Sequence, residues 1–146
     1  MNMLYTKYAM TVCLIIFGVT GCSQEPQDLS LPMKAGEYQV DVTKIADGVT
    51  APVKRSRAKC FREPNFDPFK SYHQNKDCKA TNIKKSSDKV SFDIDCKKGE
   101  DAQMKGSIEY GVAGDKFDWA IKLNSMNNQE IDVETMGTGE YIGKCR

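Results

Sequence analysis

The sequence predicts an all-β chain: an antiparallel meander forming a sandwich or partly closed barrel, with one short helical connection and two disulfides. Three observations lead there. Apolar residues recur at every second position through most of the chain, the period of a half-buried strand. Turn-forming clusters separate those rows at short intervals. Four cysteines stand in the body of the chain, an even number that suits a bridged framework in an exported protein.

The N-terminal segment decides the compartment. Met1–Tyr8 carries one cation, Lys7, and no acid, and Ala9–Val19 is an almost unbroken apolar run. That run is shorter than the roughly 20 residues a bilayer crossing takes, and small residues follow it, as in a secretory signal. Val19-Thr20-Gly21-Cys22 is similar to a bacterial lipobox. The Cys22 thiol would take diacylglycerol through a thioether, and cleavage before it would free an amine for a further acyl chain such as palmitate. Two or more chains anchor stably where one does not. The alternative is an ordinary signal peptide with a chance cysteine at the cut. The lipoprotein reading divides the chain into a signal peptide, 1–21, a lipidated cysteine and flexible tether, 22–33, and a single β domain, 34–146. The tether assignment rests on the polar, proline-bearing stretch Ser23–Pro32. Ser23, in place of the aspartate associated with inner-membrane retention, favours the outer membrane facing the periplasm. Cys13 falls in the leader.

Without the leader 125 of the 146 residues remain, enough for one domain with a real core. The whole chain has 21 Lys and Arg against 20 Asp and Glu; setting Lys7 aside makes the formal charge zero. Such a balance does not point to nucleic acid as a partner.

Strand by strand, Tyr38, Val40 and Val42 predict a first element over 36–45. A second, 54–62, holds the one dense basic run, Lys54-Arg55-Ser56-Arg57-Ala58-Lys59. Its alternation turns Ser56, Ala58 and Cys60 inward and Arg55, Arg57 and Lys59 outward. The run reads either as a phosphate or lipopolysaccharide patch, or as an edge strand whose charges discourage edge-to-edge pairing; the second is preferred. Asp67–Gln74, following Pro64, is the short helical connection. Strands over 78–85 and 89–97 flank a turn at Ser86–Asp88, with Val90, Phe92, Ile94 and Cys96 on one face. Met104, Gly106, Ile108 and Tyr110 predict 103–111. Phe117, Trp119, Ile121 and Leu123 predict 116–124, and Ile131 and Val133 open 130–142. Gly111–Asp115 and Asn124–Gln129 are the turns between them.

Cys60, Cys78, Cys96 and Cys145 allow three pairings. A zinc site is disfavoured, because its cysteines come in close pairs, whereas the nearest ones here are 18 residues apart. Cys78 and Cys96 could meet across a hairpin, but direct cross-strand bridges are geometrically demanding. The preferred expectation is Cys60–Cys78, closing the helical excursion, and Cys96–Cys145, pinning the C-terminus.

Residues able to carry catalysis are sparse. His73, the one histidine, would have to serve any Ser–His or Cys–His arrangement; its polar neighbours suggest solvent exposure. Asp93, Asp95, Glu109 and Asp118 could supply paired carboxylates, although strands carry such residues for solubility. Gly137-Thr138-Gly139 lacks the helix and lysine of a phosphate loop. Trp119, Phe117, Phe92 and Tyr110 read as core rather than ligand cage. No enzyme, no cofactor and no metal is expected.

The chain resembles the domain-of-unknown-function 3617 family of small proteobacterial envelope proteins. The resemblance is carried by the opening strand Lys34-Ala35-Gly36-Glu37-Tyr38-Gln39-Val40 and by Cys60 before a helical stretch. Cys78-Lys79-Ala80-Thr81 leading to Lys89-Val90-Ser91-Phe92 and Cys96 continues it, and Gly139-Glu140-Tyr141-Ile142-Gly143-Lys144-Cys145 closes it. Tyr38, Tyr141 and Lys144 depart from the Trp, Trp and Asp usual there. The resemblance implies export and a β fold and brings no catalytic residues.

The leading functional expectation is a non-enzymatic binding or accessory module of the envelope. Its partners would be the membrane, through the lipid, and an envelope protein or hydrophobic ligand. Behind it stand an inhibitor of a hydrolase such as lysozyme, acting through Gly111–Asp115 or Asn124–Gln129, and a hydrolase using Asp93 and Asp95. An enclosed cavity of roughly 300 Å3 or more would favour ligand carriage, and a packed interior surface recognition.

Overall fold

The computed structural model describes residues 27–98, 102–127 and 129–146. Its elements in chain order are β1 (Leu31–Pro32), β2 (Gly36–Ala46), β3 (Val53–Phe61), β4 (Asn65–Phe66), α1 (Lys70–His73), β5 (Cys78–Lys85), β6 (Lys89–Lys98), β7 (Ala102–Ala113), β8 (Lys116–Asn127) and β9 (Gln129–Gly143). Seven strands form one antiparallel sheet in the order β3-β2-β9-β8-β7-β6-β5, and β1 pairs with β4 in a separate two-stranded sheet. The expected meander is therefore present from β5 to β9. The last strand then takes the β2–β3 hairpin onto its free side, and the large sheet stays open, with β3 and β5 as its edges.

Each long strand except β3 forms where the apolar alternation lies, and the turns follow their chemistry. Gly114 and Asp115 join β7 to β8 with Gly114 at φ 61°. Positive φ at the first central residue suits a two-residue hairpin whose twist matches its strands. In β5 the register shifts by one residue between Thr81 and Lys84, and Asn82 sits there at φ 53°. That is a bulge, and the Asn82 amide donates to Asp93 Oδ2 at 2.7 Å across it.

One face of the sheet carries Tyr38, Val40, Val90, Phe92, Ile94, Ile108, Tyr110, Phe117 and Ile121, all buried. A lone sheet must cover such a face, and here the cover comes from the chain before β2 and between β3 and β5. Leu29, Leu31, Met33, Phe66 and Phe69 are buried against the sheet. The segment expected to be tether as far as Met33 thus joins the fold from Leu29 onward. Leu29, Leu31 and Met33 alternate as a strand does, and burying each stabilises by about 1.5–3 kcal/mol. Phe66 stacks at 4.4 Å on Phe117, while Phe69 meets Trp119 edge-on at 5.5 Å. The helical connection is one turn rather than the whole of Asp67–Gln74.

The disulfides are Cys60–Cys145 and Cys78–Cys96, which corrects the expected Cys60–Cys78 and Cys96–Cys145. The reason is register. Cys78 and Cys96 are directly opposed across β5 and β6, with Cα atoms 3.9 Å apart. Cys60 faces Glu37 on β2, which in turn faces Gly143 on β9. Cys145, two residues further on, reaches across β2 to the edge strand.

Candidate functional site

The core is filled by large side chains, with Tyr38, Tyr110, Leu29, Leu31, Ile108 and Val90 fully buried. The larger clefts described, of about 580 and 520 Å3, open at the surface. One lies beside Tyr72, Cys78, Cys96 and Met104, the other on the outer face around Lys105, Lys122 and Glu134.

That outer face is a lattice of matched charges. Lys105 meets Asp95, Lys116 meets Glu140, Lys122 meets Glu134 and Lys89 meets Glu109, all within 3.0–3.7 Å. The first three pairs are directly opposed across neighbouring antiparallel strands and Lys89–Glu109 is a diagonal pair on the same face, the arrangement in which opposite charges attract. Lys89 is held protonated beyond the usual lysine range by its hydrogen bond to Glu109. Of the carboxylates singled out from the sequence, Asp93, Asp95 and Glu109 are engaged here. Asp95 also accepts from the Gln103 amide at 3.0 Å, and Asp93 accepts from Asn82.

His73 is not exposed. Its Nε2 lies 2.8 Å from Asp67 Oδ2, with both side chains buried, and its ring stands edge-on to Phe92 at 5.9 Å. Asp67 Oδ1 lies 3.5 Å from the Tyr110 hydroxyl, which donates to Leu29 O at 2.6 Å. Burial first, and the Asp67 charge second, push the Tyr110 phenol far above its ordinary range. This cluster ties the cover to the sheet. Sequence reasoning missed it, although Phe69, Tyr72 and His73 stand at the i, i+3, i+4 spacing that puts residues on one helical face. Its packing role is sufficient to account for it.

At one edge of the large sheet, a row of cations lies on β3. Its nine residues pair with β2 without a break, from Val53 opposite Lys44 to Phe61 opposite Gly36. No described strand pairs with its other side. The expected orientation of its side chains is reversed: Arg55, Arg57 and Lys59 lie opposite Val42, Val40 and Tyr38, on the core-side face. Phe61 sets this parity, since its ring packs at 5.6 Å on Tyr38 and 5.5 Å on Phe117. Counting back by twos from Phe61 gives Lys59, whose amine stands 4.9 Å over that ring, then Arg57 and Arg55. The core does not extend beneath these residues, and all of Val53–Cys60 is exposed. Lys44, Lys54, Arg55, Arg57 and Lys59 form no ion pair among the described residues. Ile45, Val49 and Val53, in and beside the hairpin tip, are exposed apolar side chains.

Cys22 lies outside the described residues. Among those described, no group of three or more His, Cys, Asp or Glu is placed to hold a metal ion. No curated protein and no solved structure matches the chain. A family model described as protein of unknown function (DUF3617) matches residues 33–145. That span includes the whole large sheet, α1 and both disulfides, and the chain belongs to that family.

Proposed function

We propose that this chain is a lipoprotein of the cell envelope, anchored through lipid on Cys22 at the outer membrane and facing the periplasm, whose β domain recognises a partner without catalysis. One observation carries the reading. One sheet face is largely taken up by the core and the other carries four matched ion pairs, whereas β3 sets Arg55, Arg57 and Lys59 in one alternating row along an unbroken, open backbone edge, with no ion pair among the described residues. An unneutralised row of one sign favours an oppositely charged partner. The filled core supports recognition at the surface over carriage of a hydrophobic guest. For the hydrolase-inhibitor alternative, Gly111–Ala113 and Lys116 are strand, so that only Gly114 and Asp115 turn at that end.

Two measurements test this reading in cells. Cys22→Ser should abolish lipid labelling and shift the protein from the membrane to another fraction; an unchanged membrane fraction overturns the anchor. A photo-crosslinking residue at Ser56 should capture an envelope component that the same residue at Lys122 does not. Equal or absent capture at both positions overturns the assignment of recognition to this hairpin.

A further inference from the structure

We infer that the outer edge of β3 binds an extended acidic segment of another protein, which adds to the sheet as an eighth strand. This rests on the recognition reading above and names its partner's chemistry.

An unpaired sheet edge offers a row of backbone donors and acceptors that an extended peptide can satisfy, with alternate side chains setting specificity. The two edges of this sheet differ in that respect. The β5 edge is broken by the Asn82 bulge, and Lys85 at its end is turned to Asp28 O at 2.9 Å. Bulges blunt an edge against pairing. The β3 edge is straight over nine residues. Its C-terminal end is fixed in place, because the Cys60–Cys145 disulfide fastens it across β2 to the C-terminus. A receiving strand already paired in the sheet does not have to be ordered on binding.

The side chains define the guest. Arg55, Arg57 and Lys59 alternate on the core-side face, and Ser56 and Ala58 on the other. Like charges directly opposed across strands repel and opposite charges attract. The same row that repels a second copy of this strand therefore selects one with acids at alternate positions and small or apolar residues between them.

Placement argues for a protein strand over an anionic membrane. The first described residues lie by the opposite side of the sheet, where Lys85 holds Asp28 O and Tyr110 holds Leu29 O. Six strand spacings separate β5 from β3, roughly 29 Å. The five residue steps from Cys22 to Gln27 reach at most about 18 Å. The tether is thus too short to bring a lipid on Cys22 to the β3 edge.

The test titrates the purified, disulfide-bonded protein with an alternating glutamate–valine peptide about as long as β3, read by amide hydrogen exchange and NMR shifts. Protection confined to β3 amides is expected. Affinity should fall about tenfold when Arg55→Glu and Arg57→Glu are combined, and by at least as much when the unaltered protein meets a peptide N-methylated at alternate residues. Undiminished binding of the N-methylated peptide overturns strand addition. So does displacement of the peptide by phosphatidylglycerol vesicles, which would mark an anionic surface as the ligand. If Ser56 crosslinks in cells but the acidic peptide does not bind, this inference falls and the recognition reading stands; failure of both removes both.

Discussion

A Cβ at Gly137 would run into the Trp119 indole, and one at Gly139 into the Phe117 ring. Both pairs are directly opposed across β8 and β9, so each aromatic ring lies over the glycine of its neighbour. Gly137→Val should therefore destabilise the domain by about 2–3 kcal/mol through overpacking, while Thr138→Val on the exposed side should stay within about 0.5 kcal/mol. Urea denaturation of the two variants checks the contrast, and equal midpoints would refute it. His73→Ala removes a hydrogen-bond partner from the part-buried Asp67 side chain and should cost about 1–3 kcal/mol, with hydrogen exchange accelerated first in Leu29–Met33. In the sequence the alternation of Phe117 and Trp119 was legible as core. The glycines opposite them read as a failed phosphate loop, because a packing role at glycine is visible only once the neighbouring strand is known. His73 was misread for the same reason: its polar chain neighbours point to solvent, whereas its spatial neighbours are Asp67 and Phe92.

At the level of elements, periodicity placed every long strand to within a few residues, and it failed where burial does not enforce a period. β3 is the instructive case. An edge strand with no core beneath it has no apolar parity to display, so its small residues were taken as the inward ones; Phe61, which alone reaches the core, carries the true parity. β1 and β4 were missed because two residues are too few to show alternation, although Leu29, Leu31 and Met33 together do show it. The disulfides failed on strand order, since the return of β9 beside β2 brings Cys145 to Cys60, and nothing local to either cysteine announces that. Peptide mapping without reduction should yield a fragment joining the regions of Cys60 and Cys145 and another joining Cys78 and Cys96. A fragment joining Cys60 to Cys78 would contradict the register. Their separations are 85 and 18 residues. By loop entropy the longer bridge should contribute about 4–5 kcal/mol and the shorter about 3 kcal/mol, so a Cys60→Ala, Cys145→Ala pair should unfold at lower urea than Cys78→Ala, Cys96→Ala.

For the molecule as a whole, the antiparallel β class was readable, whereas the identity of the cover was not. A sheet with one apolar face needs something upon it, and the sequence alone left closure, a second sheet and a guest equally open. The answer, a segment from the N-terminus and an excursion between strands, is fastened by two phenols. Tyr38 donates to Lys34 O at 2.8 Å and Tyr110 to Leu29 O at 2.6 Å. Both phenols are shifted upward, chiefly by burial, with Asp115 and Tyr141 adding at Tyr38 and Asp67 at Tyr110. A raised folded-state value means that the neutral form is the one the fold holds. Its contribution is complete below the ordinary tyrosine value of 10.0, and it is lost as pH rises from there through the folded-state values. In that window the unfolded chain binds fewer protons than the folded one, so stability must fall with pH. The share of tyrosinate absorbance due to these two residues should then appear together with loss of β-sheet circular dichroism rather than before it. Tyr110→Phe leaves Leu29 O without its donor, and should cost about 1–3 kcal/mol at neutral pH. It should also flatten the decline above pH 10.0, because one of the two protons released on unfolding is gone. A variant that is weaker at neutral pH yet falls as steeply in alkali as the parent would show that the cover is not held by this phenol in its neutral form.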